Sequence, residues 1–467
     1  MGELLKLCVL FKLCVRVAVC LIVLMRSIVS APPESLTDVQ SAATALIMGG
    51  TNQVLSIGPA SPDFLQDFVD EANAYYIEPT GLCKGSRPGC SLAAVYTPEQ
   101  LRPFTGLTDM TFDASVAEGA ANLADCLRGI ACTVTTDPYT NTGLQKVVDS
   151  SYVVLGISQS AIIASHVKAA LIAQPADSTV SFVLVSNQGR PNGGLLERFV
   201  GAYIPYLGIS FTGATPTNSS PTQPLLTVDL ARQYDGWTDF PTNPLNMVAT
   251  LNALLGAFFL HDDYLYSGGP PLLQGYYQDT TYYLGPTTVL PLLIPLSQIP
   301  VVGMALAKAL DPPLRVLVET GYDRTINPGQ PTPARYTYLP NPFKTLVDFA
   351  IAIPTGWDDA ISYVTGGGAR PFGTAVQPIY GVGGPPVYAG AVDPYIETDV
   401  ESINPAEILR PRQPRSESLG DADSDGHNET SPSGYAGKER GYRTNHDDPR
   451  NRATPGEGLS HRGVHRR

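Results

Sequence analysis

Gly156-Ile157-Ser158-Gln159-Ser160 places a serine among small residues, with VVL before it and AIIASHVKAAL after it. A serine hydroxyl becomes a useful nucleophile only when a base takes its proton and a third group orients that base. The G-x-S-x-G elbow at a strand-to-helix turn supplies the setting. It projects Oγ above the sheet, its small residues let strand and helix close up, and the helix N-terminus favours a developing oxyanion. The fifth position here is Ser160 rather than glycine, still small enough for that packing.

The base must come from six histidines. His427, His446, His461 and His465 lie in a polar C-terminal stretch and are set aside. His166 is eight residues past Ser158, about two turns up the same predicted helix, and does not face back to it. His261 follows the apolar run LNALLGAFFL, where a loop over the sheet can begin; its bland reading is a satisfied core or helix-capping histidine. The orienting carboxylate is expected between serine and histidine in the order Ser…Asp…His. Asp229, Asp235 and Asp239 are the candidates. Asp229 continues a strand-like run, Asp235 follows it on a glycine turn, and Asp239 is the rival; either of the last two could be a turn-capping aspartate. Asp235 is preferred. The oxyanion donors are expected from the Gln159 backbone and from the turn MGGT (48–51), through Gly49, Gly50 or Thr51.

These groups need a frame. Apolar, β-branched runs at 41–50, 91–97, 151–157, 181–187 and 225–231 read as strands, and 314–323 adds another. Helical spacing appears at 61–76, 113–128, 159–171, 251–260 and 343–353, with Ser61 as an N-cap before Pro62. Alternating strands and helices predict an α/β fold, a mostly parallel central sheet with helices on both faces. Such sheets bind ligands beyond the carboxyl ends of their strands, where Ser158 would stand. Residues 264–310 mix apolar runs with Pro, Gly and paired tyrosines, and read either as a lid or acyl-binding wall over the site or as an elaborate loop packed on the core.

Composition narrows the setting. Residues 1–31 read as a signal peptide or N-terminal anchor: Lys6, Lys12 and Arg16 precede the apolar run Val17–Met25, and Val29-Ser30-Ala31 offers a cleavage site. Residues 32–403 form the predicted catalytic domain. Residues 404–467 are polar, with mixed charge, and are expected to be disordered. Cys83, Cys90, Cys126 and Cys132 remain beyond the signal region. An even number in an exported chain favours disulfides, and of three possible pairings the local one is simplest. The body carries 15 basic against 32 acidic side chains, a poor surface for nucleic acid. No cysteine or histidine cluster has zinc spacing, and the chemistry calls for no cofactor.

ALIMGGT, the cysteine loop followed by VYTPEQL, GISQSA, SNQGRPNGGLLERF, QYDGWTDFP, NALLGAFFLHDDY and LRVLVETGYD together resemble the mycobacterial PE-PPE C-terminal domain over roughly residues 41–330. The resemblance implies a cutinase-like serine α/β-hydrolase, with Ser158 as nucleophile, Asp235 as acid and His261 as base. GISQSA is also similar to the cutinase elbow. One departure is expected to matter: no PE or PPE module precedes the domain, so export would use the signal segment. Signal-bearing relatives include envelope enzymes that transfer fatty acyl groups onto trehalose glycolipids. The expectation is therefore an exported or cell-envelope serine esterase or acyltransferase. Its partners would be acyl esters or trehalose glycolipids, with membrane or envelope association and no nucleic acid. The alternative is a non-catalytic envelope-binding protein on a degenerate hydrolase fold.

Overall fold

The computed structural model describes residues 43–56, 58–83, 89–261, 264 and 271–385. The expected signal segment and polar tail lie outside the described residues.

Eleven strands are described: β1 (Ala43–Ile47), β2 (Ser91–Val95), β3 (Ala131–Asp137), β4 (Asn141–Lys146), β5 (Ser151–Ile157), β6 (Thr179–Val185), β7 (Tyr203–Ile204), β8 (Ile209–Ser210), β9 (Thr227–Arg232), β10 (Leu272–Tyr277) and β11 (Thr280–Gly285). Nine form one sheet in the order β10-β11-β9-β6-β5-β1-β2-β3-β4, and β7-β8 is a separate ribbon. The six strands from β11 to β2 run parallel, with antiparallel pairs at both edges. The chain leaves β1 toward β2 and later returns through β5, β6 and β9 on the other side. That reversal opens a crevice between the carboxyl ends of β1 and β5.

The helices are α1 (Pro62–Ala72), α2 (Phe112–Leu127), α3 (Gln159–Ala173), α4 (Leu195–Arg198), α5 (Met247–Phe259), α6 (Ile294–Ser297), α7 (Gly303–Glu319) and α8 (Pro342–Val364). Ser61 caps α1 as expected, its hydroxyl accepting from Phe64 N at 3.3 Å. Because strand side chains alternate, β1 sends Leu46 to one face and Ala45 and Ile47 to the other. Leu46 joins Val154, Phe182 and Leu184 under α2 and α3, while Ile47 joins Leu155, Val183 and Val185 over α1. Both faces are therefore dry, which explains why the central strands read as unbroken apolar runs. Removing one such side chain, as in Leu155→Ala, would cost about 2–5 kcal/mol.

One expectation fails. Residues 314–323, expected as a strand, are mostly the end of α7. Pro312 and Pro313 both lie inside the helix. The Arg315–Asp311 pair, at 2.7 Å and four residues apart, belongs to helical spacing. Pro313 has no N–H for the Ala309 carbonyl, and α8 packs there through Gly356. A methyl group at Gly356 would lie 2.0 Å from the Ala309 oxygen, so only glycine permits the approach. The segment expected as a lid, an acyl-binding wall or a packed loop is built largely of regular elements over its described length. Within 264–310, residues 272–285 are the β10–β11 hairpin at the sheet edge, and 294–310 supply α6 and the start of α7. Its paired tyrosines alternate inward and outward along β11, with Tyr282 buried and Tyr283 partly exposed.

Candidate active site

Ser158 stands between β5 and α3 with φ 56° and ψ −113°, a conformation costly for a residue with a side chain. Its neighbours make that turn obligatory. A methyl group at Gly156 would lie 2.5 Å from the Ser160 carbonyl oxygen, so only glycine lets strand and helix meet. Ser160 folds its hydroxyl back onto the turn, accepting from Ile157 N at 2.8 Å and donating to Ile157 O at 3.1 Å. The fifth-position serine thus pins the elbow as well as fitting it.

His261, just past the end of α5, places Nε2 2.8 Å from Ser158 Oγ. Its Nδ1 lies 2.9 Å from Asp235 Oδ2. Asp235 is fully buried and its second oxygen accepts from Trp237 N at 3.0 Å. Oδ2 also accepts from Tyr264 OH at 2.7 Å and Thr238 Oγ1 at 3.1 Å. Burial pushes the Asp235 carboxyl up, but the His261 charge and these hydrogen bonds outweigh it and hold it below the usual carboxylate value. A carboxylate on Nδ1 fixes the Nδ1–H tautomer, leaving Nε2 bare to accept the serine proton.

The rival acids are spent elsewhere. Asp239 accepts from Arg324 Nη1 at 2.6 Å and Nη2 at 3.1 Å. Asp229 pairs with Arg190 and accepts from Asn187 Nδ2 at 2.8 Å. His166 is exposed on α3.

The expected oxyanion turn lies against Ser158: a methyl group on Gly50 would be 3.5 Å from Ser158 Cβ. Gly50 does not offer the free donor expected of it, because its N–H donates to Gln53 Oε1 at 3.1 Å. Thr51 is tied to the other half of the site, its hydroxyl accepting from Gln159 Nε2 at 3.4 Å. Gln159 itself is braced by Ser115 Oγ at 2.8 Å and Gln100 O at 3.1 Å. Its main-chain N–H opens α3, where helix geometry provides no intrahelical partner.

Three participants have no counterpart among the residues singled out from sequence. Ser186, at φ 57° just past β6, brings Oγ to 2.9 Å from His261 Nδ1 and 3.4 Å from Asp235 Oδ2. Gln188 donates from Nε2 to Ser158 Oγ at 3.2 Å. Tyr264 holds Asp235, and burial keeps its phenol neutral and donating, with a pKa well above the usual tyrosine value. A polar cluster directly after an apolar strand, as in SNQG after β6, is the signal that could have flagged the first two.

Known proteins extend the picture. The PE-PPE domain matches residues 88–323. Among curated proteins of Mycobacterium tuberculosis, the uncharacterized PPE family protein PPE42 (strain CDC 1551 / Oshkosh) is 41% identical over 302 residues, covering 62% of this chain and 46% of that protein. Esterase PE16 (strain ATCC 25618 / H37Rv) is 38% identical over 305 residues, 62% of this chain and 51% of its own. Diacyltrehalose acyltransferase Chp2 of the same strain is 24% identical over 317 residues, 63% of this chain and 79% of its own. The chain spans about half the length of the first two of these relatives. No solved structure matches. With the domain match covering half its length, and a mostly parallel α/β sheet around it, the chain belongs to the PE-PPE domain family.

Proposed function

We propose that the protein is an exported serine esterase or acyltransferase acting on acyl esters of lipids. The observation that carries this is the unbroken contact chain Ser158 Oγ–His261 Nε2 at 2.8 Å and His261 Nδ1–Asp235 Oδ2 at 2.9 Å. Ser158 attacks the ester carbonyl as His261 takes its proton, and Asp235 steadies the imidazolium. The Gln159 N–H and the Thr51 side of the β1 turn face the developing oxyanion. His261 then protonates the departing alcohol, and water or a sugar hydroxyl releases the acyl group.

Several features support a lipidic substrate. The residues of α5 that face outward, Met247, Leu251, Leu254 and Phe258, are all apolar, and the helix carries no charge. That apolar row ends one turn before His261. Esterase and diacyltrehalose acyltransferase are the names of two relatives. Export is supported by two disulfides, Cys83–Cys90 and Cys126–Cys132, which persist in oxidising compartments.

The test is covalent labelling by a fluorophosphonate, with loss of label in Ser158→Ala. Absence of label on folded wild-type protein refutes the reading. Incubating a short-chain ester with and without a trehalose glycolipid then separates hydrolysis from transfer by the appearance of a new acylated glycolipid.

A further inference from the structure

We propose that Gln188 is a catalytic residue of the deacylation step, donating a hydrogen bond to Ser158 Oγ as it leaves the acyl group; this rests on the serine mechanism above. The proton inventory fixes the direction of the bond. Asp235 holds the hydrogen on His261 Nδ1, so Nε2 must accept, and the single hydroxyl hydrogen of Ser158 goes to it. The Gln188 atom 3.2 Å from Oγ therefore has to be the NH2 group, donating to an oxygen lone pair.

The loop that carries Gln188 is locked in place. Ser186 N donates to Leu230 O at 2.9 Å, and Asn187 Nδ2 donates to Asp229 Oδ2 at 2.8 Å and to Thr215 Oγ1 at 2.9 Å. Arg190 pairs with the same Asp229, and Leu196 N donates to the Gln188 carbonyl at 3.0 Å. Against this background Gln188 Oε1 is an exception: it is buried and has no hydrogen-bond partner among the described residues. A buried amide oxygen without a donor is a cost to the fold. A methionine of similar size would avoid it. What the amide provides in exchange is its bond to the nucleophile.

In deacylation the acceptor oxygen bonds to the acyl carbon while its proton passes to His261 Nε2. The C–Oγ bond then breaks, Oγ departs with the electron pair, and His261 returns the proton to it. In the acyl-enzyme Oγ is an ester oxygen, a poor acceptor, so the Gln188 bond starts weak and strengthens as charge builds on Oγ. In acylation Oγ begins as a hydroxyl that already accepts the bond. Only interactions stronger in the transition state than in the ground state accelerate a step, so deacylation gains more.

Stopped-flow hydrolysis of p-nitrophenyl butyrate, with fluorophosphonate labelling in parallel, tests this. For Gln188→Met we expect retained labelling, a nitrophenolate burst near one equivalent, and a steady state slowed roughly 10- to 100-fold, the worth of one hydrogen bond to a charged oxygen. The burst rate should stay within about threefold of wild type. Gln188→Glu keeps the volume, turns the donor into an acceptor, and should also accumulate acyl-enzyme. Turnover near wild type in both variants, or equal slowing of both phases, overturns the assignment. Wild-type protein that neither labels nor turns over ester overturns the serine mechanism instead.

Discussion

Replacing Glu99 by glutamine should make the protein markedly more stable in neutral and alkaline solution while changing little in acid. Glu99 follows β2, sits at φ 51° and is fully buried. One carboxyl oxygen accepts from Thr97 Oγ1, and the other has no hydrogen-bond partner among the described residues. Burial pushes the carboxyl from 4.5 up to about 8, with the Thr97 bond pulling the other way. Between those values the folded chain keeps a proton that the unfolded chain has lost. Stability from this group is therefore complete below about 4.5, falls as pH rises, and is gone above about 8. At about 1.4 kcal/mol per pH unit over that window, the swing is roughly 5 kcal/mol. Glutamine retains the acceptor for Thr97 and never ionises. Urea unfolding at a series of pH values should show the two proteins matching in acid and separating steadily toward pH 8. A difference that is constant across pH, or a variant less stable at pH 8, refutes this reasoning. Activity provides a second readout, because the Glu99 carbonyl holds Asn52 N at 2.8 Å in the turn beside Ser158. Ester turnover should fall less in Glu99→Gln than in wild type as pH passes 8.

Three further outcomes follow from the site and its frame. Asp235→Asn should lower kcat for a p-nitrophenyl ester roughly 10³- to 10⁴-fold with little change in KM, whereas Asp239→Asn, which breaks the Arg324 pair, should show its main effect in the melting temperature. Gly156→Ala would force a methyl group to within 2.5 Å of a backbone oxygen and should abolish fluorophosphonate labelling or lower stability by about 1–3 kcal/mol; full labelling with an unchanged melt would contradict the elbow geometry. Removing the Cys126–Cys132 bridge by a double serine substitution should cost about 2 kcal/mol, read as a lower urea midpoint, because it closes a loop of six residues' separation between α2 and β3.

The central strands were legible because both sides of the sheet are covered, so β1, β5 and β6 had to be apolar throughout. The edges were not. β3 and β4 form an antiparallel hairpin with polar residues facing outward, TVTTDPYTNTGLQK, which resembles a loop in composition. α7 was hidden by Pro312 and Pro313, whose backbone cost is met by tertiary packing against α8 that no local pattern reveals. The β10–β11 hairpin was hidden by its glycines and by a tight turn without the usual Asn-Gly signal.

The candidate site divides along the same line. Ser158, Asp235 and His261 could be named because chain order and residue type restrict the choices severely: outside the polar tail there are two histidines, and one of them is bound to the wrong side of its own helix. Ser186 and Gln188 were not named, because the one local sign, a polar run directly after an apolar strand, does not separate them from other loop residues. Their roles exist only because β5 and β6 are neighbours, which brings the residues after each strand to the same edge. The same adjacency explains Asp229, a rejected candidate acid that nevertheless bears on the site. Its carboxylate anchors Asn187 and Arg190, one residue before and two residues after Gln188, and so fixes the loop that reaches Ser158. Each strand end in the parallel order thus contributes a different group. The end of β1 provides the turn beside Ser158, β5 the hydroxyl, β6 the donor that faces it, and β9 leads to the Asp235 carboxylate. Convergence of four such ends at one crevice is a property of topology, and residue types alone carry no trace of it.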